Sequence, residues 1–336
     1  MKCKKIYIVG NSREEFKNLI DSTEKSYNDH PSKTSLSLAT ELISSLGYQV
    51  EYFGGIKDLI DAYQQKISFP PYTLFINFSD GLEQPSRKGQ SAMLLELLNV
   101  PFAGSDACSR LIAGNKQFAK EILRNINIYS PKGILIHKME DLEKVSSLSY
   151  PLMIKPNREG SSIGITQKNY IKTPEDLKNI TKLLLEEFNE LLVEEYISGY
   201  EVTNFLIGNP QRFILNDIIL NGYNNQFYFT DFIFGINEKS GGKRNQITPE
   251  SILPPETIRT IHNTSEAIFE HLGMRDFTRI DYRLTKEGKL YFIELNGNPA
   301  ISQTSELGTL SELRGFSFQE IYAKIINAAS YRIWDE

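Results

Sequence analysis

Short apolar runs alternate with polar stretches along the chain. Ile6 to Val9 reads as a buried strand ending at Gly10-Asn11-Ser12, and Tyr48 to Phe53 and Leu74 to Phe78 also have strand character. From Ser35 to Leu46, residues Leu36, Leu38, Ala39, Leu42, Ile43 and Leu46 recur at helical spacing. Gly47 follows as a C-cap. Residues 13 to 34 are polar, and Asp29-His30-Pro31 breaks any helix there. Gln90 to Leu98 predicts a helix and Pro101 to Ser105 a short turn segment. This β-α-β-β-α order to about residue 108 predicts a small doubly wound unit.

The pattern then changes. Residues 109 to 126 predict one amphipathic helix carrying Lys116 and Lys120. Lys132 to His137 and Leu152 to Pro156 predict strands, with a short charged helix over Met139 to Ser147 between them. Pro174 to Glu187 predicts a helix and Leu191 to Tyr196 a strand. Beyond about residue 200, strands mix with helices over Glu256 to His271 and Phe318 to Ser330. The expected class is α/β, becoming α+β towards the C-terminus, with units 1–108, 109–192 and 193–336. No internal repeat or low-complexity tract stands out.

One hairpin carries unusual polarity. Arg279 to Leu284 and Lys289 to Asn296 flank a Lys-Glu-Gly turn. Alternation puts Arg279, Asp281 and Arg283 on one face of the first strand, and Phe292, Glu294 and Asn296 on one face of the return strand. With a loop from Lys286 to Lys289, Asp281 falls opposite Glu294 and Arg279 opposite Asn296. Like charges facing across a ladder are destabilising, and a cation between them would remove the conflict. Two carboxylates and an Asn carbonyl are hard oxygen ligands suited to Mg²⁺. A solvated strand face is the plain alternative; the apolar setting and adjacent arginines favour a metal–phosphate site.

The bulk properties narrow the field. The chain has 336 residues, 40% hydrophobic and 24% charged, with a net charge of -5. That balance gives no broad attraction to nucleic acid or to an anionic membrane. Cys3 and Cys108 lack metal-type spacing and read as reduced thiols. The apolar run Ile6 to Val9 is too short for a signal peptide, and no window reaches transmembrane length. The expectation is a soluble cytoplasmic protein. His30, His137, His262 and His271 are scattered; His30 alone falls in a plausible substrate-facing loop.

Two further stretches carry candidate chemistry. Asn157 to Gly164, N-R-E-G-S-S-I-G, directly follows a strand containing Lys155. Its glycines and serines can turn N–H groups towards an anion, and a Lys in an apolar strand calls for an anionic partner. A flexible turn with a snorkelling Lys is the alternative. The loop is neither a Walker A nor a dinucleotide fingerprint. Val193 to Glu201 then places acids on either side of a Gly-containing bend, suited to an adenine amino group and a ribose hydroxyl or, equally, to an exposed turn.

In this order, the motifs resemble the ATP-grasp superfamily and its D-alanine–D-alanine ligase-like branch. The matching stretches are L-L-E-L-L-N-V-P-F-A-G-S (94–105), N-K-Q-F-A-K (115–120), M-I-K-P-N-R-E-G-S-S-I-G (153–164), V-E-E-Y-I-S-G-Y-E-V-T (193–203) and R-I-D-Y-R-L…L-Y-F-I-E-L-N-G-N-P (279–299). The resemblance implies an ATP-grasp fold, with a pre-ATP-grasp domain followed by two lobes that clasp ATP. It further implies that Lys116 and Lys155 hold the nucleotide phosphates, with Glu159, Ser161 and Ser162 in the covering loop. Glu194 would meet adenine with Glu195 and the Ile197 backbone beside it, and Glu201 the ribose. Asp281, Glu294 and Asn296 would bind two Mg²⁺ ions, for which Mn²⁺ could substitute. Arg279 and Ser161 would be catalytic, Arg279 by stabilising the acyl-phosphate. Ser305 matches the position beside the second substrate's carboxylate.

The chain also departs from that branch. Ser79-Asp80-Gly81 stands where a His-Gly motif belongs, and Asn11 to Glu14 only partly resembles the motif that grips the first ammonium. Tyr228 to Gly242 lacks the Lys-Tyr pair, for which Lys239 or Lys243 could substitute, and Ala300 replaces a Gly. Ser79, Asp80, Ser305 and Lys239 are therefore the substrate candidates. The expectation is an ADP-forming ligase of specialised metabolism that couples a small carboxylate, free or carrier-bound, to an amine, in a chain that could pair as a homodimer. A genuine D-alanine–D-alanine ligase is the alternative. A non-catalytic nucleotide-binding module is the third reading, disfavoured because Arg279, Asp281, Glu294 and Asn296 are all present.

Overall fold

The computed structural model describes residues 3–19, 30–82, 85–240 and 242–335. The chain opens with β1 (Lys5–Val9), α1 (Arg13–Leu19), α2 (Lys33–Ser45), β2 (Gln49–Gly54), α3 (Ile56–Gln64), β3 (Thr73–Asn77), α4 (Arg87–Leu97), β4 (Phe102–Ala103), α5 (Ala107–Ala113) and α6 (Lys116–Arg124). Its four strands form a parallel sheet of order β2-β1-β3-β4. A second sheet, β5-β8-β6-β7, is antiparallel and uses β5 (Gly133–Ile136), β6 (Leu152–Pro156), β7 (Tyr170–Ile171) and β8 (Leu191–Glu195), with α7 (Pro174–Leu185) packed on it.

The third sheet contains β9 (Gly199–Asn209), β10 (Arg212–Tyr223), β11 (Tyr228–Phe229), β12 (Arg244–Ile247), β13 (Asp276–Leu284) and β14 (Leu290–Asn296), with α8 (Ile236–Ser240), α9 (Pro255–His271), α10 (Glu306–Arg314) and α11 (Phe318–Trp334) around it. Its order is β12-β10-β9-β13-β14, with β11 on β9, all antiparallel. Residues 196–198 link this sheet to the second one and form one wall of the cleft between them.

Four elements differ from expectation. The stretch 109–126 is two helices, because Gly114 caps α5 and the Asn115 side chain accepts from the Phe118 N–H to start α6. Lys116 therefore sits in a helix's first turn. The helix α3 occupies residues left without an element, giving β-α-β-α-β order; Ile56, Leu59 and Ala62 on its buried side are the spacing that marks it. The polar stretch after residue 13 begins with α1, and residues 20–29 lie outside those described. His30 is buried and stacks on Phe16 at 3.9 Å between ring centroids, so it is a core residue.

The fourth difference concerns the hairpin. Arg279 pairs with Asn296 and Asp281 with Glu294, as the alternation predicts. The register then shifts, so that Tyr282 faces Phe292 and Leu284 faces Leu290, leaving Ile293 as an extra residue. The turn runs from Thr285 to Lys289 and uses Gly288 at φ 80°, where a side chain would be strained. This turn is one residue different from the expected loop, and the bulge restores the pairing. It also reverses the face alternation: Phe292 packs in the core with Leu290 and Leu295, whereas Glu294 and Asn296 point the other way, half-buried.

Two cores cross sheet boundaries. Ile6, Ile8 and Ile76 of the first sheet and Leu36 of α2 pack with Phe205, Phe277 and the α11 residues Ile321, Tyr322 and Ile325. Ala119 and Leu123 of α6 join the core beneath β13 and β14. At their junction Asp276 is fully buried at φ 62° and accepts from the Gly104 N–H (2.9 Å), Asn209 Nδ2 (3.1 Å) and Arg332 Nη2 (2.6 Å). Arg332 Nη2 also donates to the Phe102 carbonyl at 2.9 Å. Removing one partner of a buried ion pair strands the other charge. Arg332→Met should therefore lower unfolding free energy by about 3 kcal/mol, read as a fall in urea midpoint at unchanged slope.

Candidate active site

A cleft of about 820 Å³ lies between the second and third sheets. Met153, Pro131, Glu195, Tyr196 and Ile197 line its hinge end, Lys155 and Ser162 its roof, and Glu201, Thr203, Arg279, Asp281 and Glu294 its floor. Lys155 has the anionic partner that its apolar strand calls for. Its Nζ lies 2.5 Å from Glu194 Oε1, and Lys120 Nζ bonds the other carboxylate oxygen. All three side chains are buried. Burial alone would raise the Glu194 pKa, but Lys120 and Lys155 outweigh it and hold the group ionised. Lys120 is pulled down to about 8 by burial, with Glu194 opposing.

Lys116 is aimed by a local lock. Asn115 and Asn157 bond each other through their side chains at 2.8 Å, and Asn157 Oδ1 accepts from the Gln117 N–H at 3.0 Å. The Lys116 ammonium then donates to the Glu159 carbonyl and stands 3.3 Å from Glu294. Arg87 holds the Glu159 carboxylate at 2.7 Å. In the loop between, Ser161 and Ser162 have successive left-handed φ values of 50° and 58° and face different cavities. The Ser162 hydroxyl donates to the Phe234 carbonyl at 3.1 Å, tying the loop to the 228–242 segment.

On the floor, Asp281 Oδ1 accepts from Thr203 Oγ1 at 2.7 Å and Oδ2 from Arg279 Nη2 at 2.9 Å. Arg279 Nη1 also reaches Glu306 at 3.3 Å. Burial works against the Arg279 charge, but Asp281, Glu306 and Glu294 together outweigh it and raise its pKa. Arg283 pairs with Glu201 at 2.5 Å. The facing carboxylates of Asp281 and Glu294 and the Asn296 carbonyl form a hard donor set. Among the described residues no three His, Cys, Asp or Glu side chains form a metal cluster. By its hard oxygen donors the set fits Mg²⁺, which keeps waters and takes substrate phosphates rather than an all-protein cage. Asn296 Oδ1 at present accepts from the Asn298 N–H at 3.1 Å.

A second cavity of about 500 Å³ meets the first at Arg279 and Glu294. Asp80, Lys88, Arg110, Lys116, Ser161 and Asn298 are among its walls. Asp80 is bonded to Lys88 (2.6 Å) and Arg110 (2.8 Å); burial would raise its pKa, but these cations outweigh it. Ser79 does not line either cavity, and its buried hydroxyl has no hydrogen-bond partner among the described residues. Ser305 does not line them either. It caps α10, and its hydroxyl donates to the Ser302 carbonyl at 2.6 Å. Its neighbour Glu306 reaches the cleft instead. The side chain of Lys239 lies outside the described residues.

Sequence reasoning left Lys120, Arg110, Arg244 and Glu306 without roles. Lys120 had a signal, since it lies one turn beyond Lys116 on the same helix face. Arg110 and Arg244 meet their acidic partners 30 and 62 residues away, which no local pattern announces.

A doubly wound N-terminal unit, two further sheets clasping a cleft, and lysines above facing carboxylates define an ATP-grasp ligase. Residues 130–327 match the family model for the D-ala D-ala ligase C-terminus, and the chain belongs to that family. It is 28% identical over 233 residues to a D-alanine–D-alanine ligase of Aquifex aeolicus, covering 69% of this chain and 75% of that one. With the Thermotoga petrophila D-alanine–D-alanine ligase it shares 27% over 287 residues, 85% and 88% of the two chains. The fold matches the Bacillus anthracis D-alanine–D-alanine ligase complexed with ATP (TM-score 0.71, 21% identity, 97% of each chain). It also matches the VanG D-Ala:D-Ser ligase of Enterococcus faecalis (TM-score 0.73, 21% identity, 97% and 99%). The protein is an ADP-forming carboxylate–amine ligase that uses ATP and Mg²⁺. No helix among the described residues is long and apolar enough to cross a membrane.

Lys120 offers a test of the cleft's charge balance. It is charged below about pH 8 and neutral above, and a bound polyphosphate favours the charged form. Affinity for a fluorescent ATP analogue should therefore fall as pH rises through about 8, and Lys120→Met should remove that step. Titrations between about pH 7 and 9.5 read both.

Proposed function

We propose that this ligase joins two small D-amino acids, D-alanine to D-alanine foremost, as a cytoplasmic enzyme acting on free small molecules. The observation that carries the reading is the wall of Arg279 and Glu294 shared by two cavities, with Lys116 against Glu294 on the second-cavity side. The relatives' names favour this reading over a ligase of specialised metabolism, the expectation drawn from Ser79-Asp80-Gly81. The units 1–108, 109–192 and 193–336 would serve as substrate wall, nucleotide roof and metal-bearing floor.

ATP would enter the main cleft with adenine at Glu195 and Ile197 and the ribose at Glu201. Glu194, enclosed by lysines, would act on adenine only through its edge or else fix the two ammoniums. Lys116 and Lys155 would meet the phosphates under Glu159, Ser161 and Ser162. Asp281, Glu294 and Asn296 would hold Mg²⁺, which when bound offsets phosphate charge. The donor would stand in the second cavity, between Asp80 and Arg279. Its carboxylate oxygen attacks the γ-phosphorus while the bond to ADP breaks. The acceptor nitrogen then attacks the carbonyl carbon, phosphate leaves with the C–O electron pair, and the nitrogen gives up its proton. Arg279 opposes the charge that develops on both the phosphoryl and the carbonyl oxygens. The Ser162–Phe234 contact holds the roof loop against the lid and limits water entry.

A coupled ADP-release assay with D-alanine alone, and with a panel of acids and amines, tests the substrates. D-Alanine should suffice; turnover confined to another pair would overturn the substrate reading. Glu294→Gln should cut ADP release by on the order of 100-fold or more, with an unchanged circular dichroism spectrum and melting temperature.

A further inference from the structure

At the end of the main cleft away from the hinge, two guanidinium groups share one carboxylate. Arg244, on the edge strand β12, donates from Nη2 to Glu306 Oε1 at 3.0 Å. Arg279 Nη1 lies 3.3 Å from the other oxygen of Glu306. All three side chains line the cleft and are mostly buried, with exposures of 19%, 16% and 12% for Arg244, Glu306 and Arg279. The Nε of Arg244 is buried and has no hydrogen-bond partner among the described residues. A guanidinium with a donor to spare matches the paired oxygens of a carboxylate.

Arg244 is also wired to the reaction centre. Its Nη2 donates to Asn221 Oδ1 at 2.7 Å, Asn221 Nδ2 to Thr203 Oγ1 at 3.0 Å, and Thr203 Oγ1 to Asp281 Oδ1 at 2.7 Å. The chain of bonds crosses β12, β10, β9 and β13, so Arg244 stands on a rigid sheet rather than on a loop. The adjacent Ser305 hydroxyl is committed to helix capping, and Arg244 and Arg279 both contact Glu306.

We propose that Arg244 and Arg279 form the slot for the acceptor's α-carboxylate, and that Glu306 fills this slot until the acceptor displaces it. The inference rests on the ligase reading above. Arg279 is flanked by the second cavity on one side and by Arg244 on the other. An acceptor whose carboxylate replaces that of Glu306 has its amine directed at the carboxyl group held beside Arg279. Glu306 thus sets a threshold: only a ligand with its own carboxylate compensates both guanidiniums. Arg244 is a specificity-determining residue and Glu306 its internal competitor.

Product partitioning tests this without depending on overall rate. The full chain is given ATP, Mg²⁺ and equal amounts of D-alanine and D-alaninamide, which can serve only as acceptor. Mass spectrometry then compares D-alanyl-D-alanine with D-alanyl-D-alaninamide. The wild type should favour the acid, and Arg244→Met should shrink that preference by roughly 10- to 100-fold, the range of a charge-assisted hydrogen-bond pair. Arg244→Lys should fall between, and Glu306→Gln should raise the preference. Equal use of acid and amide by the wild type, an unchanged ratio in Arg244→Met, or a lowered ratio in Glu306→Gln would overturn the slot. Absence of both products in the wild type would instead count against D-alanine as substrate. The acid and amide of the amino acid found by the ADP-release panel would then be compared in the same way, with the same outcomes deciding.

Discussion

Two carboxylates that face each other across a β ladder repel, and much of this molecule can be traced to that one conflict. Asp281 and Glu294 are held opposite by the pairing of β13 and β14 and cannot separate. Arg279 neutralises the first from its own strand; Lys116 approaches the second from a different part of the chain. To reach it, Lys116 must start a helix, so the stretch around it breaks at Gly114-Asn115 and is pinned by Asn157. Asn157 in turn opens the loop that roofs the cleft. The electrostatics of one hairpin thus ties the third sheet to α6 and to the loop that follows β6 of the second.

The same logic separates the chemistry into compartments. Arg279 and Glu294 belong to both cavities, so a group activated on one side of them is presented to a partner on the other. The second cavity draws its outer wall from the N-terminal unit through Asp80 and Lys88, with Arg110 of α5 beside them. The main cleft draws its walls from the other two sheets. Each compartment carries compensated charge, and a ligand enters by replacing an internal ion pair rather than by filling an apolar hollow.

Much of this was legible before any coordinates. Hydrophobic spacing placed most strands and the long helices, and alternation with an assumed four-residue turn set Asp281 opposite Glu294. The motifs that carry Lys116, Lys155, Glu194 and Asn296 pointed to nucleotide chemistry. Other features left no local trace. The bulge at Ile293 is a one-residue correction that reverses which face Phe292 takes, and only pairing with β13 specifies it. No local pattern announces that Lys120 and Lys155 converge on Glu194. Arg244 and Glu306 meet across 62 residues, a relation set by sheet packing. Helix α3 has its signal in the spacing of Ile56, Leu59 and Ala62.

The last helix, α11, packs into the core of the first sheet. Ile6, Ile8 and Ile76 share their hydrophobic contacts with Ile321, Tyr322 and Ile325, and Arg332 bonds the Phe102 carbonyl. During synthesis the N-terminal unit therefore leaves the ribosome with part of its apolar surface uncovered. It stays so until α11 has also been made, although domains generally fold as units in order of emergence. Such long-range closure makes for slow folding and a prolonged exposed intermediate. The unit that walls the second cavity is thus translated before the other two sheets but completed only after them.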